Sequence, residues 1–211
     1  TFWPWSVLLP LAVVTGWRLR NSDEGAFLLG WIVPTWIVFE AVWTKLIHYT
    51  LPVYPALMLL AAIPLIRMID GAQRFRGWAA HIGTVGFALG TAVLAVIAIG
   101  APIAYGDGIA FWPTLGGGAL TLLAIAGLVA FYRGRAALGT VSLAAAGIAM
   151  GWTITAASLP AARDLLVTPR LGEAMERLDC LEPPPAIAGF GEPSVVFRFG
   201  TETPTVSATD A

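Results

Sequence analysis

Six long apolar runs constrain the fold of this chain more than any other feature. They cover residues 2–17, 26–43, 49–69, 82–105, 109–132 and 136–158. A helix needs about 20 residues to cross a bilayer, with a range of about 17–25. Only 12% of the residues are charged, against about 25% in soluble proteins. We therefore predict an all-α polytopic membrane bundle of about six transmembrane helices over residues 1–158, with a short first span and a marginal second one.

Charge and cysteine content narrow the function classes. The net charge is −1, which argues against a nucleic-acid partner. The single cysteine, Cys180, excludes an intrachain disulfide framework and a multi-cysteine metal site. The chain starts with Thr1 and shows no signal-peptide pattern. We expect it to be a piece of a longer protein.

The loops predict an orientation because basic residues favour the cytoplasmic side. The second loop carries only Lys45, and the fourth carries Asp107 with no basic residue. Loops one, three and five hold the arginines Arg18, Arg20, Arg67, Arg74, Arg76, Arg133 and Arg135. These three loops are predicted to be cytoplasmic, and the other two loops and the tail periplasmic. The tryptophans expected to anchor span ends at the interface are Trp3, Trp5, Trp17, Trp43 and Trp112.

The tail, residues 159–211, differs in composition from the rest. It holds four Arg and eight acidic residues, a net charge of −4. The pattern predicts a helix over Arg170–Cys180, then strands over Ala186–Phe190 and Ser194–Phe199 around a Gly-Glu-Pro turn. We therefore expect the start of a small α/β extracytoplasmic domain, truncated at its end.

The second loop is the strongest candidate for a functional site. Lys45, His48 and Tyr49 are spaced i, i+3 and i+4, just before a helix expected to start near Leu51-Pro52. A helix N-terminus favours anions, and a lipid phosphate lies at this depth. Glu40, about one turn earlier, needs a partner, and Lys45 is nearest in sequence. Lys45 and Tyr49 are also compatible with plain interfacial anchoring.

Three segments carry a resemblance to a known family. The run Thr44-Lys45-Leu46, His48-Tyr49 and then Leu51-Pro52-Val53-Tyr54-Pro55-Ala56 resembles a segment of the bacterial aminoarabinose-transferase/protein-mannosyltransferase superfamily of GT-C glycosyltransferases. Ile47 stands where that family usually has Pro. Supporting likeness comes from the segments Phe2-Trp3-Pro4-Trp5 and Gly189-Phe190-Gly191-Glu192-Pro193-Ser194-Val195-Val196-Phe197.

The resemblance implies the C-terminal half of an inverting glycosyltransferase of the bacterial inner membrane. Such enzymes take a sugar from a polyprenyl-phosphate donor, and their acceptors include lipid A, proteins and glycans. By resemblance, Lys45, His48 and Tyr49 would bind the lipid phosphate, supported by Glu40 and Tyr54. The catalytic acid would lie in the N-terminal half, so none is assigned here. A divalent metal cation is the only cofactor the resemblance suggests, and the sequence shows no ligand set for it.

Two alternatives from other classes stay open at this point. Internal prolines at Pro34, Pro64, Pro102 and Pro113 are compatible with the broken helices of a transporter or flippase. The last three spans, however, contain almost no ionisable residue, so no midplane ion path is evident. A non-catalytic membrane scaffold is the third option.

Overall fold

The computed structural model describes residues 2–43, 47–178, 186–188 and 193–206. Helices make up most of this part. In the first part of the chain they are a 3₁₀ turn Trp5–Leu8, α1 Leu9–Leu19, α2 Asp23–Ala41, a 3₁₀ turn Ile47–Val53 and α3 Tyr54–Ile69. The second part of the bundle comprises α4 Trp78–Tyr105, α5 Phe111–Tyr132, α6 Ala136–Trp152, a π-helical segment Thr153–Ser158 and α7 Leu159–Ala161.

Five helices are long and apolar enough to cross a membrane. They cover Asp23–Ala41, Tyr49–Ile69, Trp78–Tyr105, Phe111–Tyr132 and Ala136–Ala161. The first apolar run forms a shorter helical stretch, Trp5–Leu19, whose length is about 25 Å against a hydrocarbon core of about 30 Å. The predicted all-α membrane bundle is confirmed, with five span-length helices and one shorter one.

Polar and proline residues shape the helices locally. Ser22 caps α2, because its side-chain oxygen accepts a hydrogen bond from the backbone N–H of Gly25 at 3.2 Å. Pro34, Pro64 and Pro102 each lie inside a continuous α-helix. The broken helices that a transporter would favour are therefore not formed at these three prolines.

The closest helix packing joins α5 to the end of α6. A Cβ atom added at Gly116 would lie 2.1 Å from Oγ1 of Thr153, so only glycine permits this approach. Thr153 is fully buried, and its hydroxyl donates to the carbonyl of Ala149 at 2.6 Å. Close packing at the glycine-rich segment of α5 was expected from the sequence, and the structure confirms it without a break in the helix.

Trp3 belongs to the core, so its prediction as an interfacial anchor is wrong. Its indole Nε1 donates to Oγ1 of Thr91 at 2.9 Å, halfway along α4, and its ring stacks on Phe87 at 5.8 Å. Only 7% of the residue is exposed. The indole N–H has a buried hydroxyl partner, which permits burial of the large ring. The other tryptophans with largely exposed rings at helix ends are Trp17, Trp43 and Trp112.

The arginine-rich loops meet at one end of the bundle. Arg18 of the first loop and Arg67, Arg74 and Arg76 of the third line one cavity. Phe75 in the third loop contacts the ring of Tyr132, beside the fifth loop, at 5.1 Å. We name this the arginine end.

The opposite end holds the fourth loop and the start of the tail. There Asp107 pairs with Arg163 across 3.9 Å, and both side chains are largely exposed. We name it the Asp107 end. Because α2 starts beside the first loop and α3 ends at Arg67, the connection between α2 and α3 lies at the Asp107 end as well. The predicted alternation of loops between two ends is thus reproduced in the fold.

The tail forms short elements after the bundle. They are a 3₁₀ turn Arg163–Leu165, α8 Val167–Arg177, β1 Ile187–Ala188, α9 Pro193–Phe199 and β2 Thr205–Val206. The two strands pair in parallel. The helix predicted over Arg170–Cys180 forms three residues earlier than expected, and residues 179–180 lie outside the described part.

The strand predicted over Ser194–Phe199 is wrong, since this segment is α9. Contacts with α8 override its β-prone composition. The hydroxyls of Thr168 and Ser194 are hydrogen-bonded at 2.8 Å, Arg198 forms an ion pair with Glu176, and Val195 is buried. A folded α/β domain after the bundle stays a prediction.

Candidate functional site

The connection between α2 and α3 has a distinct backbone. Val42 leaves α2 in an extended conformation, the 3₁₀ turn Ile47–Val53 follows, and α3 starts at Tyr54. Pro52 lies within the turn and Pro55 in the first turn of α3, where a missing N–H costs no hydrogen bond. The helical turn thus begins before Leu51-Pro52, and the regular α-helix begins after it.

The start of α3 has the properties expected of an anion-binding helix end. Its N-cap residue, Val53, provides no side-chain hydrogen bond to the first turn. The first backbone N–H groups of an α-helix have no partner within the helix and carry a partial positive charge. The predicted anion site therefore lies at an N-terminus that no side chain caps.

Aromatic contacts fix the positions of Tyr49 and Tyr54. The ring of Tyr49 stacks on Phe39, near the end of α2, with centroids 5.3 Å apart and planes at 26°. The ring of Tyr54 meets Phe2 edge-on at 5.4 Å and 76°. Both tyrosines are half-buried. The turn is consequently held between the end of α2 and the N-terminal segment.

Glu40 lies in the last turn of α2, directly after Phe39, and is exposed. The Phe39–Tyr49 stack therefore brings the two chain segments that carry Glu40 and Tyr49 together. The backbone of His48 is part of the 3₁₀ turn, but its side chain lies outside the described part, as does all of Lys45. The structure thus places Glu40, Tyr49, Tyr54 and the backbone of His48.

The described residues do not fit a bound divalent metal. In residues 2–43, 47–178, 186–188 and 193–206, no group of three or more His, Cys, Asp or Glu is placed to hold one. Divalent cations need several such ligands. No chemical step is assigned to a metal in this chain.

Sequence reasoning missed two kinds of residue. Phe2 and Phe39 position the tyrosines, and only the aromatic character of each residue could have suggested it. The arginines at the other end were assigned to membrane orientation, whereas four of them share a cavity of about 590 Å³. Their spacing along the chain gave no sign of that convergence, because three separate segments contribute.

The fold and the span-length helices define a multi-pass membrane protein with an all-α bundle. The candidate site is an aromatic-supported helix start at one membrane end of that bundle.

Two known proteins are similar to one segment of this chain. They are undecaprenyl phosphate-alpha-4-amino-4-deoxy-L-arabinose arabinosyl transferase 2 of Sodalis glossinidius (strain morsitans) and the undecaprenyl phosphate-alpha-4-amino-4-deoxy-L-arabinose arabinosyl transferase of Edwardsiella ictaluri (strain 93-146). Each is 45% identical to it over 60 residues, which cover 28% of this chain and 11% of the relative. The match thus covers about a tenth of the length of these relatives. No protein-family model and no solved structure matches the chain.

Proposed function

We propose that this chain is part of an integral-membrane glycosyltransferase. It would move a sugar from a polyprenyl-phosphate donor to a lipid A, protein or glycan acceptor on the periplasmic side of the bacterial inner membrane. The observation that carries the proposal is the 45% identity over 60 residues to two transferases whose names specify an undecaprenyl-phosphate-linked sugar. The membrane bundle and the helix start at the Asp107 end are compatible with such a donor.

In this proposal the second loop binds the donor phosphate. Lys45 supplies positive charge, the Tyr49 hydroxyl and His48 donate hydrogen bonds, and Glu40 and Tyr54 support them. The first turn of α3 adds unpaired N–H groups. Tyr49 is suited to this role because its stack on Phe39 restricts the ring and so lowers the entropic cost of binding.

The proposed chemistry is transfer with inversion. A carboxylate outside these 211 residues takes the proton of the acceptor hydroxyl, and the acceptor oxygen bonds to the anomeric carbon. The bond from that carbon to the phosphate oxygen breaks, and the polyprenyl phosphate leaves with the electron pair. Groups of the second loop would stabilise the growing negative charge of the leaving phosphate, a common source of rate enhancement.

The test is binding of undecaprenyl phosphate to the protein in nanodiscs. The test variant is Lys45→Ala/Tyr49→Phe, in which Phe keeps the ring that stacks on Phe39 and loses only the hydroxyl. The matched control is Arg163→Ala/Tyr105→Phe, which removes one cation and one tyrosine hydroxyl at the same end. Loss of two phosphate contacts should weaken binding about 10- to 100-fold in the test variant, and the control should change little.

Each outcome decides the assignment. Selective loss in the test variant supports a lipid-phosphate site at the second loop. Equal binding by parent and test variant would make Lys45 and Tyr49 interfacial anchors. Absence of binding by the parent would count against a donor site in this chain. Neither a transporter nor a scaffold is favoured by a specific contact in the described part of the structure.

A further inference from the structure

We propose that the cavity at the arginine end binds a phosphate group, carried by an anionic phospholipid of the same membrane face. This site is separate from the second loop and does not depend on the transferase proposal. The cavity, about 590 Å³ in volume, lies between α1, the end of α3, the following loop and the start of α4. We name it the arginine cavity.

Positive charge dominates the arginine cavity. Arg18, Arg67, Arg74 and Arg76 line it, and no lining residue is acidic. Among the described residues, none of these four guanidinium groups has a carboxylate within 4.0 Å. Four unpaired cations around one cavity repel each other, so an anion between them would be stabilising.

Arg20 shows that convergence of these arginines is not a property of every arginine at this end. Its guanidinium donates to the carbonyl of Trp17 at 2.8 Å and lies 4.6 Å from the centre of the Trp17 ring. Arg20 does not line the cavity. The guanidinium of Arg20 is therefore used locally, whereas those of the four lining arginines are not.

The start of α4 adds backbone donors to the same cavity. Gly77, Trp78 and Ala79 line it, and no side chain caps the first turn of this 28-residue helix. Gly77 has φ = 89°, a conformation that favours glycine, so the backbone is bare of a side chain at the helix start. Free N–H groups and the positive end of the helix dipole both favour a phosphate.

A turn holds the arginine-bearing loop in a fixed shape. The backbone N–H of Gln73 donates to the carbonyl of Arg67 at 2.9 Å, and Phe75 is buried against Phe131 at 5.4 Å. Arg74 and Arg76 flank that buried ring. Binding at such a loop needs less ordering of the backbone than binding at a free one.

The surroundings favour a lipid as the source of the phosphate. The site lies at the end of the membrane helices, and Trp78, with 66% of its surface exposed, marks an interfacial position. Leu11 and Val14 give the cavity an apolar wall next to the arginines. Juxtamembrane arginine clusters bind anionic headgroups. The volume exceeds that of one phosphate group and leaves room for its glycerol.

The experiment compares two double variants of the whole chain in nanodiscs. Phosphatidylcholine discs receive increasing phosphatidylglycerol, and retained phosphatidylglycerol is counted by native mass spectrometry. Arg67→Gln/Arg76→Gln removes two cations of the arginine cavity. The matched control, Arg133→Gln/Arg135→Gln, removes two cations at the same end that do not line it. We expect retention to fall about tenfold more in the cavity variant than in the control.

A second arm separates the two sources of phosphate. Inorganic phosphate and glycerol 3-phosphate are titrated against protein in phosphatidylcholine discs at constant ionic strength. The lipid proposal expects neither to displace bound phosphatidylglycerol at millimolar concentration. Displacement by either compound would overturn the lipid source, and equal loss of lipid in both double variants would overturn the site itself.

Folding is checked by far-UV circular dichroism. If the double cavity variant does not fold, the single variant Arg76→Gln, whose side chain is exposed, takes its place against Arg133→Gln. Selective loss of phosphatidylglycerol in the cavity variant would support the site. Retention equal to that of the parent would overturn it.

Discussion

Replacement of Gly116 by alanine should destabilise the bundle at the contact between α5 and α6. The new Cβ would lie 2.1 Å from Oγ1, 2.8 Å from Cγ2 and 2.9 Å from Cβ of Thr153. Thr153 cannot move away easily, since it is fully buried and its hydroxyl is bonded to Ala149. The helices must therefore separate locally by about 1 Å, and overpacking of this kind costs about 1–3 kcal/mol.

Gly118→Ala is the matched control because no atom lies within 4 Å of its added Cβ. Both variants gain helix propensity, about 1 kcal/mol per Gly→Ala change. That gain cancels in a comparison of the two. Gly116→Ala should accordingly be about 1–3 kcal/mol less stable than Gly118→Ala.

The assay is reversible unfolding in mixed micelles of a mild detergent and dodecyl sulfate, followed by far-UV circular dichroism. Adding Thr153→Ala to Gly116→Ala removes the two shorter contacts and should restore part of the lost stability. Equal stability of Gly116→Ala and Gly118→Ala would refute the close approach of the two helices.

Three further substitutions test single polar contacts by the same unfolding measurement. Thr91→Val should cost about 1–3 kcal/mol, because it leaves the buried indole N–H of Trp3 without its acceptor. Ser158→Ala should cost about 0.5–1.5 kcal/mol, since its hydroxyl donates to the Ala98 carbonyl of α4 at 2.8 Å. Ser22→Ala should cost about 1 kcal/mol through loss of the α2 N-cap.

Each of these variants has a control or a contrary result. For Thr91→Val, the variant Trp3→Phe/Thr91→Val removes donor and acceptor together, and a cost equal to the sum of the single variants would contradict the shared bond. For Ser158→Ala, Thr155→Ala is the control, because that exposed hydroxyl bonds only within its own helix. An unchanged midpoint for Ser22→Ala would show that the cap does not stabilise α2.

Apolar length predicted the membrane helices well because hydrophobic runs of span length have few alternatives. The boundaries of α5 and α6 fall close to the predicted runs. Trp3 was misjudged because position near a run end does not reveal a hydroxyl partner 88 residues away. The run Ser194–Phe199 was misjudged because one helical turn can be fixed by contacts with α8 that local composition does not encode.

The candidate site was less predictable than the fold. The sequence pattern singled out Tyr49 and Tyr54, but the rings that hold them, Phe39 and Phe2, come from other segments. The roles of Lys45 and His48 stay predictions. The arginine cavity depends on three segments meeting in space, a property that residue spacing along one segment cannot predict.

The π-helical segment Thr153–Ser158 makes the last membrane helix sensitive to chain length. A π turn holds about one residue more than an α turn, so deleting one residue here would leave a regular α-helix. Everything after the deletion would then rotate by about 100° about the helix axis. Ser158 would face away from the Ala98 carbonyl that it now bonds. Single-residue insertions and deletions should thus be tolerated far less in this segment than in the exposed loop at Asp107.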